Sequence, residues 1–250
     1  MPLLDWSLLA LVTLVAAAAQ GATGFGFAIL AISFYLAILN SVAAVQIAIT
    51  GSLVISLVLA PRLWRAAPRG LLLRLCAGTL VGFPLGLWAY LHASLEAVKL
   101  AVACLIIVFS GYLLFFRPRN RQDGGEGGWG PLADLGVGFV SGAMATGLGM
   151  PGPSVLLYLQ ASGADKTETR ATTLALFTFS YIGALTLQAG VIGMTGEIWL
   201  VALVLAPVAA IGAFGGHGVA RWIDEQTFRR AVLMILIAAG AYTLWTSLGA

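Results

Sequence analysis

The sequence predicts an all-α polytopic membrane protein. It reads as two inverted-topology repeats of about five segments each, with a broken or re-entrant helix pair at the start of each repeat. Three observations predict this. Of 250 residues, 60% are hydrophobic and only 9% are charged, and mean hydropathy is +0.98; soluble domains run at about 45–50% apolar and about 25% charged. The apolar residues form continuous runs instead of alternating, which excludes a transmembrane β-barrel. Glycine patterns recur at fixed shifts in the two halves of the chain. The same composition excludes a soluble domain, a disordered chain and a basic nucleic-acid binder.

The apolar segments fall at 3–19, 25–39, 42–59, 71–91, 97–116, 132–145, 154–162, 171–187, 198–219 and 231–248. The first carries no basic n-region, so it reads as retained structure and not as a cleaved leader. The first and second segments, and the sixth and seventh, are well under the about 20 residues that span a bilayer as a helix. Each short pair is joined by a glycine-rich turn, Gln20 to Gly26 (QGATGFG) and Thr146 to Pro153 (TGLGMPGP). The remaining segments approach spanning length, and Pro84 and Pro207 mark kinks within two of them. One polar linker, RPRNRQDGGEGGWG, divides the chain into a first repeat (1–116), a cytoplasmic linker (117–130) and a second repeat (131–250).

The halves look like copies, matching at a set of positions and in the order of short and long segments. Gly21, Gly26 and Leu30 match Gly147, Gly152 and Leu156 at a shift of 126. Gly82, Gly86, Ala101, Val102, Ile107 and Tyr112 match Gly212, Gly216, Ala231, Val232, Ile237 and Tyr242 at a shift of 130. If the loop with Arg62, Arg65, Arg69 and Arg74 is cytoplasmic, then Arg117, Arg119, Arg121, Lys166, Arg170, Arg221, Arg229 and Arg230 are cytoplasmic too. Only Lys99 of the 13 basic residues falls outside, a strong positive-inside signal. Both termini are then external, and an odd number of segments per half makes the second copy upside down. Trp6, Trp64, Trp88, Trp199, Trp222 and Trp245 lie near segment ends, as interfacial anchors do.

Inverted repeats with glycine-interrupted segments at matching positions point to a secondary transporter. Non-helical backbone persists in hydrocarbon only where it is buried in protein or lines a cavity. Two breaks meeting at the midplane would turn freed N–H groups and positive helix starts toward a solute, which favours an anion. The candidate binding residues are Gly21, Thr23, Gly24 and Gly26 in the first turn and Thr146, Gly147, Gly149 and Gly152 in the second. Gln46 and Thr50 share a helical face, and Gln46 maps onto Thr172 at the 126 shift, beside Thr173. Gln20 and Ser154 are secondary candidates, and His217 is a candidate proton relay. Gly82, Gly86, Gly212, Gly215 and Gly216 read as close helix–helix contacts, and Thr178 and Ser180 as hydroxyls bonded to their own helix.

No Asp, Glu, Lys or Arg sits within the middle of an apolar segment, Asp134 at the start of one being the nearest. Coupled carriers often use such a carboxylate, so the solute would be held by neutral dipoles and driven by its own charge. Cys76 and Cys104 lack CxxC or Cys/His spacing, so no metal site and no cofactor is expected. HExxH, GxSxG and paired intramembrane carboxylates are missing, which argues against an enzyme.

The turns GATGFG (Gly21 to Gly26) and TGLGMPG (Thr146 to Gly152), the polar positions around Gln46 and Thr172-Thr173, and the two-copy length resemble the TauE/SafE sulfite exporter family across essentially the whole chain. Met150, Pro151 and Pro153 stand where that family commonly has glycines. The resemblance implies a bacterial cytoplasmic (inner) membrane carrier. It would export sulfite, a sulfonate or a related organosulfur anion, with the solute at the midplane and the lipid bilayer as surroundings. Two alternatives stand beside it: a carrier of another small anion such as a carboxylate, and a non-transporting assembly or anchor subunit.

Overall fold

The computed structural model of the chain describes residues 3–115 and 129–219. Among these residues the secondary structure is helical throughout, with no strand. Six of the described helices are long and apolar enough to cross a membrane. The linker residues 117–128, the tenth segment, Arg221, Arg229, Arg230, Trp222 and Trp245 lie outside the described residues.

The helices are α1 (Leu3–Thr23), α2 (Phe27–Leu39), α3 (Ala43–Leu59), α4 (Arg69–His92), α5 (Leu95–Phe115), α6 (Pro131–Leu148), α7 (Gly152–Ala161), α8 (Lys166–Leu187) and α9 (Gly196–Val219). Two 3-10 turns, Ala60–Arg62 and Trp64–Ala66, lead from α3 to α4, and a π-turn, Gln188–Ile192, ends α8. The expected short segments are corrected in part. α1 has 21 residues and α6 has 18, because each helix runs through its polar and glycine-rich end before it breaks. Their partners are the short elements. At 1.5 Å per residue, the 13 residues of α2 and the 10 of α7 reach about 20 Å and about 15 Å, short of the about 30 Å of hydrocarbon.

The described residues cluster into two compact units, each drawing on both sides of the linker. The first takes residues 3–55, 92–115 and 194–219; the second takes 56–91 and 129–193.

In the first unit, α1 lies along α9 in parallel, with glycines at the crossing. A Cβ on Gly21 would collide with the Ala213 carbonyl, one on Gly216 with Ala18, and one on Gly212 with Leu14 and Ala17. Such small residues let backbones approach in the absence of a hydrophobic drive between helices in lipid. α2 returns against α1, where the Tyr35 hydroxyl meets Thr13 Oγ1 at 2.7 Å. α5 closes on the break between them, its Phe109 ring edge-on to Phe25.

In the second unit, α4 and α6 form a parallel pair of the same kind. Gly78, Gly82 and Gly86 face the carbonyls of Leu135, Phe139 and Ala143, while Gly138 and Gly142 face those of Leu75 and Thr79. The Thr79 hydroxyl donates across the crossing to the Gly138 carbonyl at 3.1 Å. Leu71 and Leu75 of α4, Val155, Tyr158 and Leu159 of α7, and Leu176 of α8 form the apolar core. The expected helix–helix role therefore holds for Gly82, Gly86, Gly212 and Gly216. It does not hold for Gly215, whose missing side chain would meet nothing within 4 Å.

The outward faces are apolar. Leu73, Leu80, Val81, Leu85 and Trp88 of α4, and Leu200, Leu203, Ile211 and Phe214 of α9, are all exposed. A solvent of lipid accounts for them; water would not. α4 and α9 each continue through an internal proline, Pro84 and Pro207.

Candidate functional site

Each break is built by a different capping device. In the first unit α1 ends with Gly24, at φ 90°, donating its N–H to the Gln20 carbonyl at 2.7 Å. Gly26 follows at φ 109°, a conformation that side chains with a Cβ resist. The Gln20 side chain spans the gap: its Oε1 accepts the N–H of Phe27, the first residue of α2, at 3.2 Å. That bond fixes the amide orientation and leaves Gln20 Nε2 buried and unpartnered. The Thr23 hydroxyl is turned back to the main chain, donating to Ala19 O or Phe25 O. Gln46 is buried on α3, and Thr50 donates to its carbonyl at 3.0 Å. Gly51 of α3 lies against the Phe27 ring.

In the second unit α6 ends in an αL motif. Gly149, at φ 68°, donates to Ala145 O, and Met150 donates to Met144 O, each at 3.1 Å. This is the hydrogen-bond pattern by which a left-handed glycine satisfies the last carbonyls of a helix. Pro151 and Gly152 then start α7, whose leading N–H groups have no side-chain cap. Ser141 of α6 donates to the Pro151 carbonyl at 2.9 Å. Gly152 lies against the ring of Phe177 on α8. The prolines thus replace the expected glycine freedom with a rigid entry to α7, pinned from α6.

Of the sequence candidates, Gly24 and Gly26 lie within the first break, and Gly149 and Gly152 within the second. Gly21 and Gly147 stand one turn earlier, in helix, facing Ala213 and Gly86 respectively. The Thr146 hydroxyl donates to Phe83 O or Gly142 O. Ser154 approaches Pro151 O at 3.5 Å. Thr172 and Thr173 are buried on α8, and neither hydroxyl has a partner. His217 is half-buried in the last turn of α9.

Three features escaped the sequence. Ser180, expected to bond its own helix as Thr178 does to Leu174 O, is buried with its hydroxyl unpartnered. Gln188 is fully buried just beyond the expected end of its segment, and its Nε2 donates to Thr146 O at 2.8 Å. An amide at the edge of an apolar run was the available signal. The third is an ionic cluster. Asp134 is fully buried in the first turn of α6 and accepts from Arg74 Nε at 2.6 Å and from the Tyr158 hydroxyl. That hydroxyl in turn accepts the Trp129 N–H at 2.7 Å. Opposite charges at the starts of two segments were its only trace.

Around both breaks, then, buried hydrogen-bonding groups without formal charge accumulate. Among the described residues, Asp134 is the one fully buried charged side chain, and it is paired. No group of three or more His, Cys, Asp and Glu side chains comes together among them. The family model for the sulfite exporter TauE/SafE matches residues 9–243.

The chain belongs to the TauE/SafE sulfite exporter family. Members are membrane transporters of sulfite and organosulfur anions and not enzymes, so this is a multi-pass membrane protein of that class. Neither the curated proteins nor the solved structures contain a match.

Proposed function

We propose that the protein exports a small sulfur oxyanion across the bacterial inner membrane by alternating access. Main-chain N–H groups and neutral side-chain donors at the helix breaks hold the solute. The supporting observation is the pair of buried, unpartnered hydroxyls of Thr173 and Ser180, on the helix whose Phe177 packs against Gly152 at the start of α7, which has no side-chain cap. Orphaned polar groups in a low-dielectric interior cost about 1–3 kcal/mol each unless a ligand or water completes them. Neutral hydroxyl and main-chain donors without a cation suit an anion that must leave again. Gln20 Nε2 plays the corresponding part at the first break.

Two observations support the inverted repeat. The parallel pairs α1–α9 and α4–α6 place counterpart glycines at both crossings: Gly86 matches Gly216, and Gly147 matches Gly21. At the breaks, the positions Gly51 and Phe177, 126 apart, each pack on the start of the short helix. On this reading both termini are external.

Export then requires no coupling ion, because one negative charge leaving the cell gains about 2.3 kcal/mol per 100 mV of inside-negative potential. Thermal stabilisation of the purified protein across sulfite, sulfonates, sulfate and small carboxylates tests the substrate class. Sulfite or sulfonates should stabilise it and carboxylates should not; the reverse order would favour the carboxylate alternative.

A further inference from the structure

The polar face of α8 contains one acceptor that an ordinary oxyanion cannot satisfy. Thr173, Phe177, Ser180, Ala184 and Gln188 recur at helical spacing on one side of α8. Phe177 on that side lies against Gly152 at the start of α7, and Gln188 reaches Thr146 in the last turn of α6, so the face runs along the second break. Thr173 and Ser180 present hydroxyls that rotate to donate or accept.

Gln188 has no such freedom. The Thr146 carbonyl only accepts, so the amide must turn Nε2 toward it, and Oε1 is left buried with no partner. Gln188 also opens the π-turn, its own carbonyl taking the Gly193 N–H at 3.0 Å. A carbonyl oxygen repels a fully deprotonated oxyanion and bonds only an O–H or N–H. A site built around such a group rejects ligands that lack the donor, because it would be left unpaired.

We infer that Gln188 is a specificity-determining residue that selects a sulfur oxyanion carrying its own hydrogen-bond donor. The inference rests on the proposed transport of sulfur oxyanions. The chemistry is shared by protonated sulfite and by a sulfonate bearing a hydroxyl or ammonium group.

The test is uptake by full-length protein in proteoliposomes, using 2-hydroxyethanesulfonate, propane-1-sulfonate and sulfite. The two sulfonates have equal charge and nearly equal size and differ by a hydroxyl in place of a methyl. The expected result is uptake of 2-hydroxyethanesulfonate about tenfold or more above propane-1-sulfonate. In Gln188→Met the preference should fall to within about twofold, with propane-1-sulfonate uptake retained. Sulfite moving as fast as the hydroxylated sulfonate places the donor on protonated sulfite. Sulfite moving only as fast as propane-1-sulfonate places it on a substituted sulfonate. Equal uptake of the two sulfonates by the unmodified protein would overturn the inference and leave the proposed function standing, with Gln188 serving water alone. No movement of any of the three would overturn both. The comparison in the unmodified protein decides the matter even if Gln188→Met does not fold.

Discussion

Removing Arg74 should destabilise the second unit more than neutralising its partner does. Asp134 is fully buried, and its carboxylate depends on Arg74 Nε at 2.6 Å and on the Tyr158 hydroxyl. Arg74→Met leaves that carboxylate with one neutral donor. Stranding a buried charge costs about 3–5 kcal/mol, in keeping with the about 4 kcal/mol expected for two charges near 4 Å at an effective dielectric of 20. Asp134→Asn keeps the volume and the bond from Tyr158. It strands only Arg74, whose side chain is 32% exposed and can turn to water, so about 1–3 kcal/mol should be lost. Replacing the whole cluster (Arg74→Met, Asp134→Leu and Tyr158→Phe together) removes both charges and the hydroxyl. Buried ion pairs exchanged for apolar groups are often neutral, so the triple variant should recover most of the loss. The assay is thermal or SDS-induced unfolding in detergent micelles. A triple variant no more stable than Arg74→Met alone would refute the reasoning, since the cost would then lie in packing and not in the stranded charge.

Two further outcomes follow from the glycines. Gly215→Ala adds a methyl to open space in a helix interior and should be neutral or stabilising by up to about 1 kcal/mol. Its neighbour Gly216→Ala drives the same methyl into Ala18 and should cost about 1–3 kcal/mol; melting temperatures of the two variants, moving in opposite directions, check this. At Gly149 the φ of 68° admits Asn far better than Val. Gly149→Asn should therefore keep transport while Gly149→Val, strained by about 1–2 kcal/mol, should lower both melting temperature and flux.

The helical class was legible because lipid demands it: a chain this apolar must satisfy its backbone internally. The glycine contacts were legible for a related reason, since a glycine every four residues on a membrane helix marks one face. Gly82, Gly86, Gly212 and Gly216 all lie at such crossings. The ends of α1 and α6 were not legible from hydropathy. Gln20 looks like a terminus yet sits inside α1, because its side chain caps Phe27 across the break. The Asp134 cluster joins residues about sixty positions apart, a pairing that no local pattern carries. Ser180 differs from Thr178 chiefly in what surrounds it, and a hydroxyl's identity says nothing of that. The two expected site threonines with the most prominent positions, Thr23 and Thr146, turn their hydroxyls to the main chain. The less conspicuous Thr172 and Thr173 keep theirs unpartnered.

The account rests on neutral groups moving an anion by its own charge. The most direct measurement is efflux of a sulfonate, whose charge does not vary with pH, from proteoliposomes held at defined membrane potentials and pH gradients. The account requires efflux to rise as the interior is made more negative and to stay unchanged when only the pH gradient is altered. Efflux that followed the pH gradient and ignored the voltage would contradict it.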